Sequence, residues 1–417
     1  MPIPQSAVPT VERPLPSGNR VVMERAKEHL LQNYRQQPIV LDHGQGTRAW
    51  DADGNVYLDL LGGIACLPFG HCHPEITAAA KAQLDKLWHT SNVFYTEPQV
   101  HLAELLTAAS GLDRAFFCNS GAEANEAMLK LARKAQRERG QPGRFEFVCF
   151  DNSFHGRTLA TVSATGQPRY QKGFEPLLPG VVHVPYGDLE AVKRAVGPRT
   201  AAILVEPIQG EGGVRLAPEG FLRALRALAD AEGVFLLIDE VQTGLGRTGK
   251  MFGFQHEGIR PDAFSLAKAL ANGLPIGAMV CTEATGKALA PGTHGSTFGG
   301  NPVAAAAAVA TVQLASDPRV LARNKELGEY FISRGLEMKA RHPGLVKDAR
   351  GRGLLLGVEL TYDAGPVVGR LRERGVLSNL AGERTVRFAP SFLVTREELD
   401  EGLRVLEDAV VAQAPPA

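Results

Sequence analysis

Cysteine is scarce in this chain: five residues (Cys66, Cys72, Cys118, Cys149 and Cys281) are scattered through 417. An odd, dispersed set, most of it inside apolar segments, argues against a disulfide framework and reads as reduced, packed cysteine in a cytoplasmic protein. An excess of charge is also lacking, with 45 Lys and Arg against 45 Asp and Glu. No basic field invites nucleic acid, and no polybasic run invites a membrane surface. Nor does any apolar run approach the roughly 20 residues that a membrane-spanning helix needs. The first 16 residues hold five prolines and no apolar core. They read as a loose arm, neither a secretory signal nor an arginine-rich transit peptide.

What is present is enough chain for two or three domains. A β-rich segment comes first, with Asp53-Gly54 between two short strand-like pieces as a hairpin signal. From there apolar runs at 114–117, 145–150, 201–206, 234–239 and 262–266 alternate with helical stretches such as 122–139 and 218–232. That alternation predicts an α/β fold whose mostly parallel sheet carries helices on both faces. Beyond residue 316 the character changes to an α+β module of about 100 residues. The expected division is an arm and small-domain segment over 1–70, a large domain over 71–315 and a small domain over 316–417. The alanine run 304–308 reads as a close-packed helix.

Open α/β sheets place their chemistry at the carboxyl ends of strands. Two such ends carry Asp239 and, just beyond the second, Lys268. Pyridoxal phosphate needs a lysine to hold its aldehyde and a carboxylate to keep its ring nitrogen protonated. The run Cys118-Asn119-Ser120-Gly121-Ala122-Glu123-Ala124-Asn125 follows a strand and opens a helix, with small residues where a phosphate must reach backbone amides. Alone it reads equally as a Ser-capped helix. Phe154 and Arg157, in F-H-G-R-T, offer a ring to stack on a flat heterocycle and a planar fork for a carboxylate. A core Phe and a structural ion pair are the plainer versions, and His155 reads as structural. Thr297 lies in a glycine-rich loop, where its hydroxyl suits a phosphate oxygen. Glu206 and Glu211 put two acids near the active edge. Arg387 is a lone cation in an apolar strand and calls for an anionic partner. His71-Cys72-His73 tempts a zinc assignment, but no second Cys/His pair completes four ligands.

Together these motifs resemble the class III pyridoxal-phosphate-dependent aminotransferases of fold type I. The likeness runs over about residues 35–410, through G-H-C-H-P at 70–74, S-G-A-E-A-N at 120–125, F-H-G-R-T at 154–158, E-P-I-Q-G-E-G-G at 206–213, D-E-V-Q-T-G-x-G-R-T-G at 239–249 and S-T-F-G-G-N-P at 296–302. The resemblance implies a seven-stranded, mostly parallel large sheet and a small α+β domain drawn from both termini. It implies that Lys268 carries the cofactor as a Schiff base and shuttles the proton. Asp239 would pair with the ring nitrogen, Gln242 would approach the phenolic oxygen, Phe154 would stack on the ring, and Gly121 and Ala122 would cradle the phosphate. Ser120, Glu240 and Val241 complete the expected cofactor shell. Thr297 would reach the cofactor of a second subunit in a homodimer with shared sites.

For substrate, the resemblance implies Arg157 on a carboxylate, Ser296 in the lining, and Glu211 masking Arg387 until glutamate displaces it. Ile64 falls where ornithine aminotransferases carry a tyrosine. The implied reaction moves the δ-amino group of acetylated ornithine to 2-oxoglutarate. Sibling amines (succinylornithine, succinyldiaminopimelate, aminoadipate semialdehyde, ornithine, 4-aminobutyrate) are the alternatives. The stretch Cys66-Leu67-Pro68-Phe69, at the substrate entrance, departs from the family pattern.

Overall fold

The computed structural model describes residues 18–414. The proline-rich arm expected over the first 16 residues lies outside them. Strands in chain order are β1 (Leu41–Gln45), β2 (Arg48–Asp51), β3 (Val56–Asp59), β4 (Arg114–Cys118), β5 (Glu146–Phe150), β6 (Val181–Val184), β7 (Thr200–Val205), β8 (Ile208–Gln209), β9 (Arg215–Leu216), β10 (Phe235–Asp239), β11 (Ala263–Leu266), β12 (Gly277–Cys281), β13 (Val346–Arg352), β14 (Leu355–Leu360), β15 (Val376–Leu377), β16 (Asn379–Ala381) and β17 (Thr385–Phe388).

Seven of them form the central sheet in the order β4-β12-β11-β10-β7-β5-β6. It is parallel from β11 across to β6, and β12 runs antiparallel to both of its neighbours. β7, β10, β11 and β12 are buried at every position, as expected where helices cover both faces of a sheet. Two of the seven, β6 and β12, were not expected from the sequence. Both are short, and a brief apolar run such as Gly277–Cys281 carries no period that separates strand from buried helix.

The 18-residue helix Gly121–Glu138 buries Ala124, Ala127, Met128, Leu131, Ala132 and Ala135 along one stripe, the helical spacing of an amphipathic face. Helix Pro302–Ala315 buries Ala304, Ala305, Ala307 and Ala308 and packs against helices Pro74–Leu84 and Glu97–Ser110. Alanine lets those backbones approach closely.

Beside this layer sit two four-stranded sheets. One, in the order β1-β2-β3-β15, joins the N-terminal hairpin to a C-terminal strand through the parallel pair Leu58–Val376. The other runs β13-β14-β17-β16 and is backed by helix Pro318–Arg341, against which helix Arg396–Ala412 packs; their apolar faces include Phe331, Leu399 and Leu406. Fully buried Arg247 links this part to the large sheet, donating to the carbonyls of Leu354 (3.2 Å) and Pro390 (2.5 Å) with its guanidinium over Phe392.

Candidate active site

The carboxyl ends of β4, β5, β7, β10 and β11 all open on one cleft of about 380 Å³. Its lining includes Ser120, Gly121 and Ala122 after β4, Phe154 and Arg157 after β5, Glu206 and Glu211 after β7, Asp239, Val241 and Gln242 at β10, and Lys268 after β11. A parallel sheet with helical crossovers delivers residues as distant in sequence as Ser120 and Lys268 to a single edge, which is why the chemistry collects there.

Asp239 is almost fully buried and held on both oxygens. Oδ2 accepts from Asn125 Nδ2 and His155 Nδ1, each at 2.8 Å. Oδ1 accepts from the Val241 amide at 3.0 Å and, more weakly, from Ser265 Oγ at 3.4 Å. Asn125 is fixed in turn, since its Nδ2 also donates to the His155 carbonyl at 2.8 Å. His155, read as structural from the sequence, is therefore one of the groups that orient the central carboxylate, and Asn125 is another. An acid three or more residues from any His in sequence offers no signal of such a contact.

Lys268 has a left-handed backbone, φ 38°, which turns its side chain into the cleft directly after β11. Burial lowers its ammonium below the usual lysine range, against the opposing charge of Glu211. A readily neutralised amine is what a nucleophile and proton carrier requires. Burial, and then the charge of Asp239, raise Glu206 well above the usual carboxylate range. Glu206 Oε2 accepts from the amide of Phe154 (3.1 Å) and Oε1 from that of Gly210 (3.4 Å).

At the start of helix Gly121–Glu138, Ser120 Oγ accepts from the Glu123 amide at 3.2 Å, an N-cap. The Ser-capped helix opens directly on the cleft. The hydroxyl satisfies the third amide, while Gly121 and Ala122 at the helix mouth face the cleft and a helix's first amides have no partner within it. Gly121 is packed so tightly that a Cβ there would lie 2.9 Å from Val241 Cγ2. Gln242 is buried with neither Oε1 nor Nε2 partnered, a costly state that a polar ligand in the cleft relieves.

Two arginines lie at or beside the cleft. Arg157 stacks over Tyr170 at 4.1 Å and lies 5.6 Å from the centroid of Phe154, and it has no acidic partner among the described residues. Arg387, in the interior strand β17, is buried; its Nη1 donates to Glu211 Oε1 at 2.6 Å and its Nε to Asn379 Oδ1 at 3.0 Å, while Nη2 has no partner. Glu211 sits in the turn between β8 and β9. Burial alone would raise its carboxyl, but Arg387 and Lys268 hold it below the ordinary value.

Several expectations are corrected. Glu240 points away from the cleft: Thr243 Oγ1, Gly253 N and Phe254 N donate to its carboxylate at 2.5–2.9 Å. Successive side chains at a strand end face opposite ways, and Asp239 takes the cleft side. Burial raises Glu240 to about 7. Ser296 stays behind the lining, where its Oγ accepts from Asn119 Nδ2 (3.2 Å) and Gly299 N (3.0 Å). Thr297, expected at the cofactor of a second subunit and so not at this cleft, is exposed on a separate small recess with Asn92 and Phe298. Ile64 does not line the cleft either. It is 40% exposed on a turn in which Gly62, Gly63, Ile64 and Ala65 all have positive φ, and Cys66, two residues on, forms the wall instead. His71 of the Cys/His cluster pairs with Asp59 at 2.8 Å. Leu274, Pro275 and Ile276 complete the apolar wall.

Residues 30–410 match the family described as aminotransferase class-III. The acetylornithine aminotransferase of Myxococcus xanthus is 63% identical over 393 residues, which span 94% of this chain and 98% of that one. That of Methanothermobacter thermautotrophicus is 47% identical over 385 residues, spanning 92% and 97%. A structure of the ornithine aminotransferase from Toxoplasma gondii, with pyridoxal phosphate at partial occupancy in its active site, is similar at a TM-score of 0.91 and 35% identity, covering 95% of each chain.

Proposed function

The chain belongs to the class-III aminotransferases, and from that premise we propose that it transfers the δ-amino group of N2-acetyl-L-ornithine to 2-oxoglutarate. The products are N-acetyl-L-glutamate 5-semialdehyde and L-glutamate, in a cytoplasmic step of arginine biosynthesis. The observation that carries the reading is the convergence of Lys268 and the caged Asp239 on the cleft into which Gln242 turns an unpartnered amide.

Those residues suit pyridoxal phosphate. Gly121 and Ala122 would hold its phosphate, Phe154 and Val241 would border its ring, Asp239 would pair with its ring nitrogen and Gln242 would answer its phenolic oxygen. When bound, the cofactor supplies an aldehyde for the incoming amine and a ring that accepts electron density as the adjacent carbon loses its proton. Lys268 Nζ would take the proton from the substrate's δ-carbon and hand it on within the same half-reaction, and would run that transfer in reverse in the glutamate half of the cycle. Burial lowers its basicity and so favours the neutral amine that this role needs. Arg157 receives the α-carboxylate of the amine donor. Glu211 covers Arg387 during that half-reaction and leaves it for the α-carboxylate of glutamate or 2-oxoglutarate, for which Nη2 is the spare donor.

The wall of Cys66, Leu274, Pro275 and Ile276 contributes no carboxylate. A free α-ammonium held against it would be desolvated without a partner, at a cost of several kcal/mol, whereas an acetyl amide presents a neutral group and a methyl. The enzyme works as a homodimer with shared sites. Trp88, Val93, Phe94, Tyr95 and Phe298 are 59–96% exposed near Thr297, and Asn92 ties the two loops together through the carbonyls of Ser296 and Gly299. Such an apolar surface needs a cover, and a second copy brings Thr297 to the neighbouring cleft.

The deciding experiment is a steady-state panel with 2-oxoglutarate as acceptor. kcat/KM for N-acetylornithine should exceed that for ornithine by a hundredfold or more, on the order of 3 kcal/mol. Parity between the two amines would refute the substrate.

A further inference from the structure

A second cavity, of about 500 Å³, adjoins the cleft and is lined by Arg169, Arg215, Lys347 and Arg384 among others. Among the described residues Glu211 alone lines both cavities. It is the movable member of its ion pair: its side chain is 20% exposed, against 1% for Arg387, and it is flanked by Gly210 and Gly212. Arg387 is clamped between β14 and β16 in the sheet and cannot follow.

Arg169 is the cation of the second cavity best prepared to receive a carboxylate. One of its nitrogens, Nη2, donates to Gln167 Oε1 (2.9 Å) and the Tyr170 hydroxyl (3.1 Å), and its guanidinium lies 4.7 Å from the centroid of the Tyr170 ring. The remaining donors, Nε and Nη1, have no partner among the described residues. Lys347, by contrast, is committed to Glu359 and Arg215 to the Gly212 carbonyl. The charge of Arg169 already bears on Glu211 in the position observed.

We infer that Arg169 is the second resting place of Glu211: when a substrate carboxylate takes Arg387, the Glu211 side chain turns out of the cleft into the adjoining cavity and pairs with the Arg169 guanidinium. The inference rests on the transaminase reading and adds the far end of its substrate switch. Breaking a largely buried ion pair is expensive unless both ions find new partners. The incoming carboxylate serves Arg387, and Arg169 serves Glu211. Arg169 is therefore a positioning residue that acts through Glu211 on the equilibrium between a covered and an uncovered Arg387.

The test uses the holoenzyme in single turnovers, followed by the absorbance of its bound cofactor, with L-glutamate or N-acetylornithine as amino donor. Arg169→Gln should slow the glutamate half-reaction at sub-saturating donor roughly tenfold or more, within the range of a coupling between two sites, and leave the acetylornithine half-reaction within about threefold. Arg169→Lys should restore most of the loss. In a Glu211→Ala background, where nothing covers Arg387, Arg169→Gln should make no further difference to glutamate. A full Arg169→Gln loss persisting in that background overturns the inference, as does an unchanged glutamate rate or an equal fall in both half-reactions. If the wild-type protein turns over with neither donor, the transaminase reading itself has failed. If it turns over normally and Arg169→Gln is silent, only the role of Arg169 has.

Discussion

Replacing His155 by leucine tests whether the cage around Asp239 matters to chemistry or only to folding. The His155 side chain is wholly buried and Asp239 nearly so, so water cannot stand in for a lost donor. Of the two donors on Asp239 Oδ2, leucine removes Nδ1 and leaves Asn125 Nδ2. A hydrogen bond to a charged group contributes about 1.5–3 kcal/mol. With three donors remaining the lower end applies, or roughly tenfold in an equilibrium or rate. The fold loses less, because the same substitution removes His155 Nε2, which is buried without a partner, and leucine fills much of the ring's volume.

The expected signature is thus a split. Cofactor affinity of the apoprotein, measured by fluorescence titration, and kcat with N-acetylornithine should each fall about tenfold, while Tm moves by only a few degrees. His155→Gln, which keeps a donor, should recover part of the loss. A leucine variant with wild-type kcat and wild-type cofactor affinity would show that the histidine contact does not support Asp239 function.

Three further outcomes are expected. Borohydride reduction of the holoenzyme followed by peptide mapping should place the pyridoxyl group on Lys268, and Lys268→Ala should lose roughly two to four orders of magnitude of rate through loss of general acid–base catalysis; an adduct on another lysine contradicts the assignment. Arg157→Ala should weaken the amine donor and Arg387→Ala chiefly the glutamate half-reaction, each by roughly ten- to a hundredfold, and equal losses in both halves for both variants would deny the division of labour. Because the Glu211 carboxyl is held below its ordinary value, its pair with Arg387 contributes full stability above about pH 4.5, the unperturbed carboxyl value, and loses it as pH falls through the lowered value; the gap in denaturation midpoint between wild type and Glu211→Gln should therefore be constant from pH 5 to 8 and close on further acidification.

The architecture was largely legible because its signals are local. Val234 to Asp239 is an apolar run ending in a carboxylate, and such a run reads as a buried strand with its chemistry at the end. β12 was not legible: its five residues are as apolar as a helix core, and its antiparallel direction depends on β4 and β11 pairing with it from distant parts of the chain. Within the site, Lys268, Asp239 and Arg157 stand out by residue type against their surroundings. His155, Asn125 and Tyr170 do not, since each works through a partner 13 to 114 positions away: Asn125 and His155 on Asp239, Tyr170 beneath Arg157.

The turn before Cys66 shows why the substrate wall was the hardest part to foresee. Ile64 is β-branched, and such residues strongly avoid positive φ, yet Gly62 to Ala65 runs left-handed through four successive residues at φ 57–66°. Pattern reasoning aims Ile64 at the substrate. The turn instead leaves it half in solvent and presents Cys66 to the cleft. Backbone of this kind persists only when its surroundings over-determine it, and here Gly62 is closed in by the Ala389 carbonyl and Leu67, while the amides of Ala65, Cys66 and Leu67 all turn back onto the carbonyls of Leu61 and Gly62. The departure from the family pattern at Cys66 therefore falls where a strained turn meets the wall of the cleft.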